Sequence, residues 1–335
     1  MSTRSRGTGP GPRARIPASG EGGVGLSEGE VKPILVISKC LGFEACRWNG
    51  EIISDHFVDL LSSHVRFIPV CPEVEIGLGV PRDPIHIESG KGGRRLVQPA
   101  TGRDVTREML DFCASFLHSL PEVDGFLLKA RSPSCGPGDV KIFPYGGGES
   151  GAMDKGPGFF GEEVLKRFPL FPVESEGRLK NFRIREHFLV RVFTSARFRE
   201  AAERGTAGAL VDFHARHKFL LMSYNQTELK AMGRLVANPD RLDARELFAL
   251  YGERLRKALS KPPRYTSNIN VLMHSLGYFS DRLTAGEKAH FLDALRRYRE
   301  KRIPLSVPVE IINSWINRFG EEYLAGQTYF RPYPE

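Results

Sequence analysis

Three apolar runs in the first half of the chain each stop at a cysteine. "KPILVISKC" ends at Cys40, "VRFIPVC" at Cys71 and "DGFLLKARSPSC" at Cys135. Short runs rich in Val, Ile, Leu and Phe, closed by Pro or Gly, read as buried strands. Helical patterns fall between them. "SDHFVDLLSSH" follows the first run. "TREMLDFCASFLHSL" precedes the third and is expected to set Leu110, Cys113, Leu117 and Leu120 on one apolar face. Alternating strands and helices predict an α/β fold with a mostly parallel sheet and flanking helices. In such sheets the functional crevice lies beyond the carboxyl ends of the strands. Cys40, Cys71 and Cys135 are therefore expected to meet at one sheet edge, provided that their strands are neighbours. Strand order is not legible from sequence.

The chain changes character near residue 182. From there it reads as helices separated by Pro and Gly breaks, an all-α second domain. Asp243 with Glu246 and Thr284 with Glu287 have capping-box spacing at two helix starts. The expected organisation is a disordered tail over residues 1–30, an α/β domain over 31–182 and a helical domain over 183–335. The first 30 residues are rich in Gly, Ser, Pro and Arg and hold no apolar core segment, which argues against a secretory signal. No apolar run is long enough to span a bilayer. Of the net charge of +8, residues 181–335 carry +9 (26 Lys and Arg against 17 Asp and Glu) and residues 1–180 carry −1. A basic half-chain suits nucleic acid, while a solvated helical surface is the plainer reading.

Five cysteines, an odd count without a secretion signal, point to a reducing compartment and a cytoplasmic protein with free thiols. Such thiols can serve as a nucleophile, as metal ligands or as small buried residues. Three strand-end cysteines fall one short of a closed four-ligand zinc site. Iron–sulfur cubanes usually take four thiolates, so three would leave one iron open as a Lewis acid. Cys113, on a helix face, reads as core. Cys46, six residues after Cys40, reads as a bystander, with a fourth ligand or a resolving thiol as alternatives. Glu73, two residues after Cys71, has the chemistry to move protons or position water; Ser132, three before Cys135, could hold a ligand or simply bond its own turn. His214, His217 and His274 read as surface or satisfied side chains before they read as a metal site.

The segments "SKCLG…RWNG", "VCPEVEIGLGVPR" and "KARSPSCG", in this order, resemble the thiouracil desulfidase family, and the resemblance continues through "GPGFFGEEVLKRFPLFPVESEGRL". In the second half "LVDFHARHKFLLMSYNQ", "NVLMHSLGYFSDRLTAGEK" and "YLAGQTYFRP" resemble the YbgA-like domain. The family resemblance implies a [4Fe-4S] cluster held by Cys40, Cys71 and Cys135, with one open iron. It also implies a thiolated pyrimidine or nucleotide as substrate, Glu73 as the proton-moving group and Ser132 as the group holding substrate or water. The implied reaction is non-redox and hydrolytic: the thiocarbonyl carbon gains oxygen from water and its sulfur leaves as sulfide. The first motif departs from the family's usual tyrosine and aspartate at Trp48 and Asn49, which is expected to reshape the pocket. Were Cys46 to complete the coordination, the open iron would be lost. A second reading, of a different class, is an RNA-binding protein with a structural metal site. The two readings merge if the substrate is a thiolated tRNA. A thiol enzyme built on Cys135 ranks last, since no partner histidine lies near the motifs.

Overall fold

In the computed structural model the described residues are 31–146, 151–238 and 241–334; the expected tail lies outside them. The first half runs β1 (Ile34–Ser38), α1 (His56–Leu61), β2 (Arg66–Val70), α2 (Pro72–Glu75), β3 (His86–Gly90), β4 (Gly93–Gln98), β5 (Arg103–Asp104), α3 (Thr106–Ser119), β6 (Gly125–Leu128), β7 (Val140–Pro144), β8 (Asp154–Gly156), α4 (Phe159–Arg167) and β9 (Val173–Ser175). Strands β2, β1, β6 and β9 form one sheet in that order, and every pair in it is parallel. The three cysteine-tipped strands are thus immediate neighbours. Their carboxyl ends share one edge.

The α3 helix spans the expected stretch, but its buried stripe is Met109, Cys113 and Leu117. Leu110, expected on that face, is 40% exposed. Residues four apart stack along one helical stripe, and Leu110 is one position off it. Cys113 is fully buried in the core between α3, α4 and the sheet, as expected.

A second, five-stranded sheet in the order β5-β4-β3-β7-β8 was not foreseen. Its strands carry sequences such as "GRRLVQ" and "DKG". Only Ile87, Leu96, Val140 and Ile142 from it enter the core with α3 and α4.

The second half is all helical: α5 (Phe182–Arg204), α6 (Ala207–Tyr224), α7 (Gln226–Ala237), α8 (Ala244–Ala258), α9 (Tyr265–Gly277), α10 (Ala285–Arg299), α11 (Ser306–Phe319) and α12 (Glu322–Ala325). The Thr284 capping box is complete, and the Asp243 carboxylate accepts the Glu246 amide at 2.9 Å. The α5 helix serves both halves. Its Phe188, Leu189, Val192 and Phe193 cover the sheet face made by Leu35, Ile37 and Leu127. Each such fully buried apolar side chain contributes roughly 1.5–3 kcal/mol. Farther along, Phe198 and Ala201 pack into the cluster with α6 and α8. Its start is capped by Asn181, and Gly205 ends it in the left-handed conformation with φ 62°. Arg199 on α5 also pairs with buried Asp124 at 3.0 Å, and Asp124 in turn accepts the Ile34 amide at 2.8 Å, at the head of β1. The two halves are bonded through charge as well as packing.

Candidate functional site

The four parallel strands each deliver a polar group to the shared edge. Cys40 lies two residues past β1. Cys71 directly follows β2 and is the residue before α2. The turn after β6 carries Lys129, Ser132, Ser134 and Cys135. Glu176 follows β9. Cys40, Cys71 and Cys135 line one cavity of about 360 Å³, together with Glu73 and Ser132. All five residues expected at the site are thereby brought together. Cys46 joins them: it is fully buried, lines the same cavity, and its thiol is within hydrogen-bonding reach of Cys71.

Burial dominates the protonation of these thiols. It pushes Cys40 and Cys46 up to about 12, with neighbouring Cys71 adding to both. Burial likewise raises Cys71 and Cys135. The cavity therefore carries neutral thiols when nothing positive is bound. A cation that replaces their protons would release them as thiolates. The Lys129 ammonium favours the Cys40 thiolate from one side and pairs with buried Glu176. The Ser38 hydroxyl accepts the Lys129 amide at 2.8 Å and hydrogen-bonds Cys135.

Glu73 is held from two sides. Its Oε2 accepts both Arg82 Nε at 3.0 Å and Nη2 at 2.7 Å, two charge-assisted bonds converging on one oxygen. Its Oε1 accepts the Ser134 hydroxyl at 2.5 Å and lies 3.5 Å from Ser132 Oγ. The two serine oxygens are 3.0 Å apart, and Ser132 Oγ accepts the Cys135 amide at 3.1 Å. Ser132 thus both bonds its own turn and faces the carboxylate.

The turn itself is pinned by α4. The amides of Gly158, Phe159 and Gly161 donate to the carbonyls of Gly136, Pro133 and Ser134 at 2.7, 3.1 and 3.1 Å. A Cβ on Gly158 would come within 2.6 Å of the Ser134 carbonyl oxygen, and one on Gly161 within 2.4 Å of the Gly136 oxygen. Only glycine allows that approach, which explains "GPGFFG". Arg131 takes φ 60°, unusual for a side-chain-bearing residue, and its amide is tied to Asp139 at 3.1 Å. Strained backbone of this kind persists where surrounding contacts hold it.

Arg82, Ser134, Lys129, Glu176 and Ser38 were not singled out from the sequence. Arg82 stands inside the quoted second motif and Ser134 inside the third, so membership of a motif was the available signal. The histidines do not assemble. His214 bonds the Tyr251 hydroxyl at 3.0 Å, His217 bonds the Phe213 carbonyl at 2.8 Å, and His274 is exposed. Among the described residues no three His, Cys, Asp or Glu side chains converge tightly enough to hold a single ion. The four cysteines instead ring a cavity. Soft sulfur donors spread around a space suit a polynuclear iron–sulfur group better than one zinc ion, whose ligands sit about 2.3 Å from a common centre.

An α/β sheet with a thiol-lined cavity at its carboxyl edge, backed by a helical second half, is the class that fold and site define. Residues 35–176 match the 2-thiouracil desulfurase family, and residues 218–334 match a family of unknown function, DUF1722. The chain is 31% identical over 150 residues to the uncharacterised protein YbgA of Escherichia coli strain K12, covering 44% of this chain and 88% of that protein. It is 33% identical over 132 residues to the uncharacterised protein YbbK of Bacillus subtilis strain 168, covering 37% and 85%. It also resembles a solved [4Fe-4S]-dependent thiouracil desulfidase, TudS, at 29% identity and a TM-score of 0.36, over 44% of this chain and 94% of that one. The chain belongs to the 2-thiouracil desulfurase family in its first half and to the DUF1722, YbgA-like family in its second. No helix among the described residues is long and apolar enough to cross a membrane.

Proposed function

We propose that this chain is an iron–sulfur-dependent desulfidase that removes sulfur from thiouracil or a thiolated uridine nucleotide, converting thiocarbonyl and water to carbonyl and sulfide. The observation that carries this is the delivery of Cys40, Cys71 and Cys135 by adjacent parallel strands to one cavity walled by Glu73 and a serine pair. These three cysteines would hold a [4Fe-4S] cluster, with Cys46 left uncommitted. Bound there, the cluster would supply a soft Lewis acid, its one iron free of cysteine, for the thiocarbonyl sulfur.

The protein's own residues would do the rest. The Ser132 hydroxyl would hold substrate or the attacking water. Glu73 Oε1 would receive that water's proton, directly or through Ser134, which already donates to it. Arg82 would keep the other carboxylate oxygen occupied. Trp48, 46% exposed on the cavity wall, offers an aromatic face to a flat base. A cavity of about 360 Å³ is of a size that admits a pyrimidine.

A specific observation favours a phosphate-bearing substrate over the free base. A second cleft adjoins the cavity, sharing Ile85, Arg131 and Pro133 with it, and is also lined by Lys141, Lys155 and Asp139, whose carboxylate lies 3.7 Å from Arg131 Nε and leaves the two lysines in excess. Although the first half is near neutral as a whole, this local basic track offers phosphate contacts. A thiolated RNA bound there and along the basic helical half would show steep salt dependence.

The test is anaerobic purification with counts of iron and sulfide, followed by incubation with 2-thiouracil and with a thiolated uridine monophosphate. A brown protein with about four of each that releases sulfide and the oxygenated pyrimidine from at least one of them is expected. A colourless protein that resists reconstitution and carries zinc would sink the reading in favour of a structural metal site.

A further inference from the structure

Arg82 has an environment unlike any other arginine among the site's neighbours. Its side chain is 3% exposed, although it carries a permanent charge. Its donors are distributed over three segments: Nε and Nη2 to Glu73, Nη2 also to the Cys46 carbonyl at 3.0 Å, and Nη1 to the Gly79 carbonyl at 2.7 Å. The Arg82 amide adds a bond to the Trp48 carbonyl at 2.8 Å. A single residue therefore joins the loop bearing Cys46 and Trp48 to the carboxylate on α2. The rigid fork of guanidinium makes this possible, since lysine has no planar array of donors.

The geometry points to Arg82 as a positioning residue for the site: it holds Glu73 so that Oε1 faces the serine pair, and it holds the Cys46–Trp48 loop closed over the cavity. Three considerations lead there. With Oε2 occupied by two guanidinium donors, Glu73 keeps one oxygen for Ser134 and Ser132. Held at Oε2 by two donors and at Oε1 by Ser134, the carboxylate is fixed in orientation. The Cys46 carbonyl, accepting from Arg82, leaves the Cys46 side chain turned into the buried interior, where it is fully enclosed. Arg82 donates no hydrogen bond to the three cysteines expected to bind a cluster, although its charge favours the Cys71 thiolate and the Cys71 thiol lies 3.7 Å from the same Cys46 carbonyl; the ligand side chains themselves survive its loss, and the iron count checks that they still bind.

The carboxylate half of this inference rests on the desulfidase reading; the loop half does not. The experiment separates them. Arg82→Gln, Arg82→Lys, Glu73→Gln and the Glu73→Gln/Arg82→Gln double variant are purified anaerobically as full-length protein. In the first arm, iron and sulfide per chain are counted and kcat and KM for 2-thiouracil are measured. Arg82→Gln is expected to keep its iron and lose on the order of 100-fold in kcat, the scale of a misplaced catalytic group, with KM little changed. Arg82→Lys should recover part of that loss. The double variant should be no slower than Glu73→Gln alone, because residues acting as one unit are not additive. Multiplied losses in the double variant would overturn the carboxylate half.

In the second arm the same preparations react with a maleimide, and labelling of the Cys46 and Cys113 peptides is read by mass spectrometry. Cys113 lies in the core beneath α3 and α4, of which Cys46 is not part, and reports whether the chain is folded. Cys46 should label at least about tenfold faster in Arg82→Gln than in the unaltered protein, while Cys113 stays protected in both, as expected for local opening of one loop. Cys46 remaining protected in folded Arg82→Gln overturns the loop half. If Arg82→Gln exposes Cys113, the fold has failed and Arg82→Lys decides by the same criterion. If the unaltered protein desulfurises neither 2-thiouracil nor a thiolated uridine monophosphate, the proposed function fails, and the labelling still judges Arg82.

Discussion

The carboxyl edge of the parallel sheet and the helical half treat buried polar groups differently. In the helical half several are satisfied within a turn, although Glu228, Asn268 and Gln327 bond to other helices. His217 bonds the carbonyl of Phe213 one turn back, Ser223 that of Leu220, and Ser275 that of Val271. At the sheet edge the bonds span the chain: Arg82 to the Cys46 carbonyl, Ser134 to Glu73, and the Ala130 amide to Glu176. Local satisfaction lets a helix bury a polar side chain cheaply. Long-range convergence is harder to achieve, because loop-closure entropy opposes it. Such convergence marks the place where the fold concentrates its chemistry.

The sharpest way to break the comparison is to remove one sulfur at a time. Alanine at Cys40, Cys71 or Cys135 should each abolish bound iron, whereas Cys113→Ala should keep it and cost only stability, on the order of 1–2 kcal/mol for a small buried side chain. Iron retained by Cys71→Ala would remove the three-ligand arrangement.

Next in size is the bond between the two regions. Asp124 and Arg199 have side chains 3% and 12% exposed, so Asp124→Asn leaves a buried guanidinium with only the exposed Glu203 as counter-charge, at 3.1 Å. A loss of roughly 1–3 kcal/mol is expected in denaturant titrations. A loss below about 1 kcal/mol, the scale of an exposed pair, would mean that the pair is solvated.

Acid tests the helical half through its buried histidines. Burial pushes His217 down to about 3 and His187 to about 4, against an ordinary 6.5. Both are neutral in the fold, while the unfolded chain takes up protons below about pH 6.5. Stability should therefore fall as pH drops from about 6.5 toward 4, by up to about 1.4 kcal/mol per pH unit for each histidine. His217→Gln should flatten that limb; an unchanged slope would assign it to other groups.

The smallest expected effect is at Thr284. Its hydroxyl accepts the Glu287 amide at 3.2 Å in a complete capping box. Thr284→Ala should cost about 1 kcal/mol and leave iron content untouched.

What was legible in the sequence follows the same division. The strands before Cys40, Cys71 and Cys135 and the α3 helix announce themselves in contiguous residues. So do the caps at Asp243 and Thr284. The site could be located because strand ends are local features and parallel sheets concentrate them at one edge. The second sheet was illegible because its strands are polar and held by neighbours rather than by their own pattern. Leu110 was misplaced by a single position, about 100° around a helix. Arg82 was hidden because its bonds cross 36 residues to Cys46 and nine to Glu73, separations on which periodicity is silent.

The double duty of α5 bears on how such a protein can be cut and rejoined. A break at residue 182, where the sequence changes character, would strip Phe188, Leu189, Val192 and Phe193 from Leu35, Ile37 and Leu127. It would also part Arg199 from Asp124. A break after α5, at Gly205, would instead strip Phe198 and Ala201 from the cluster with α6 and α8. A module exchanged between relatives of this chain should therefore carry α5 whichever half it takes. The portable unit is then longer than the stretch of sequence that bears the motifs.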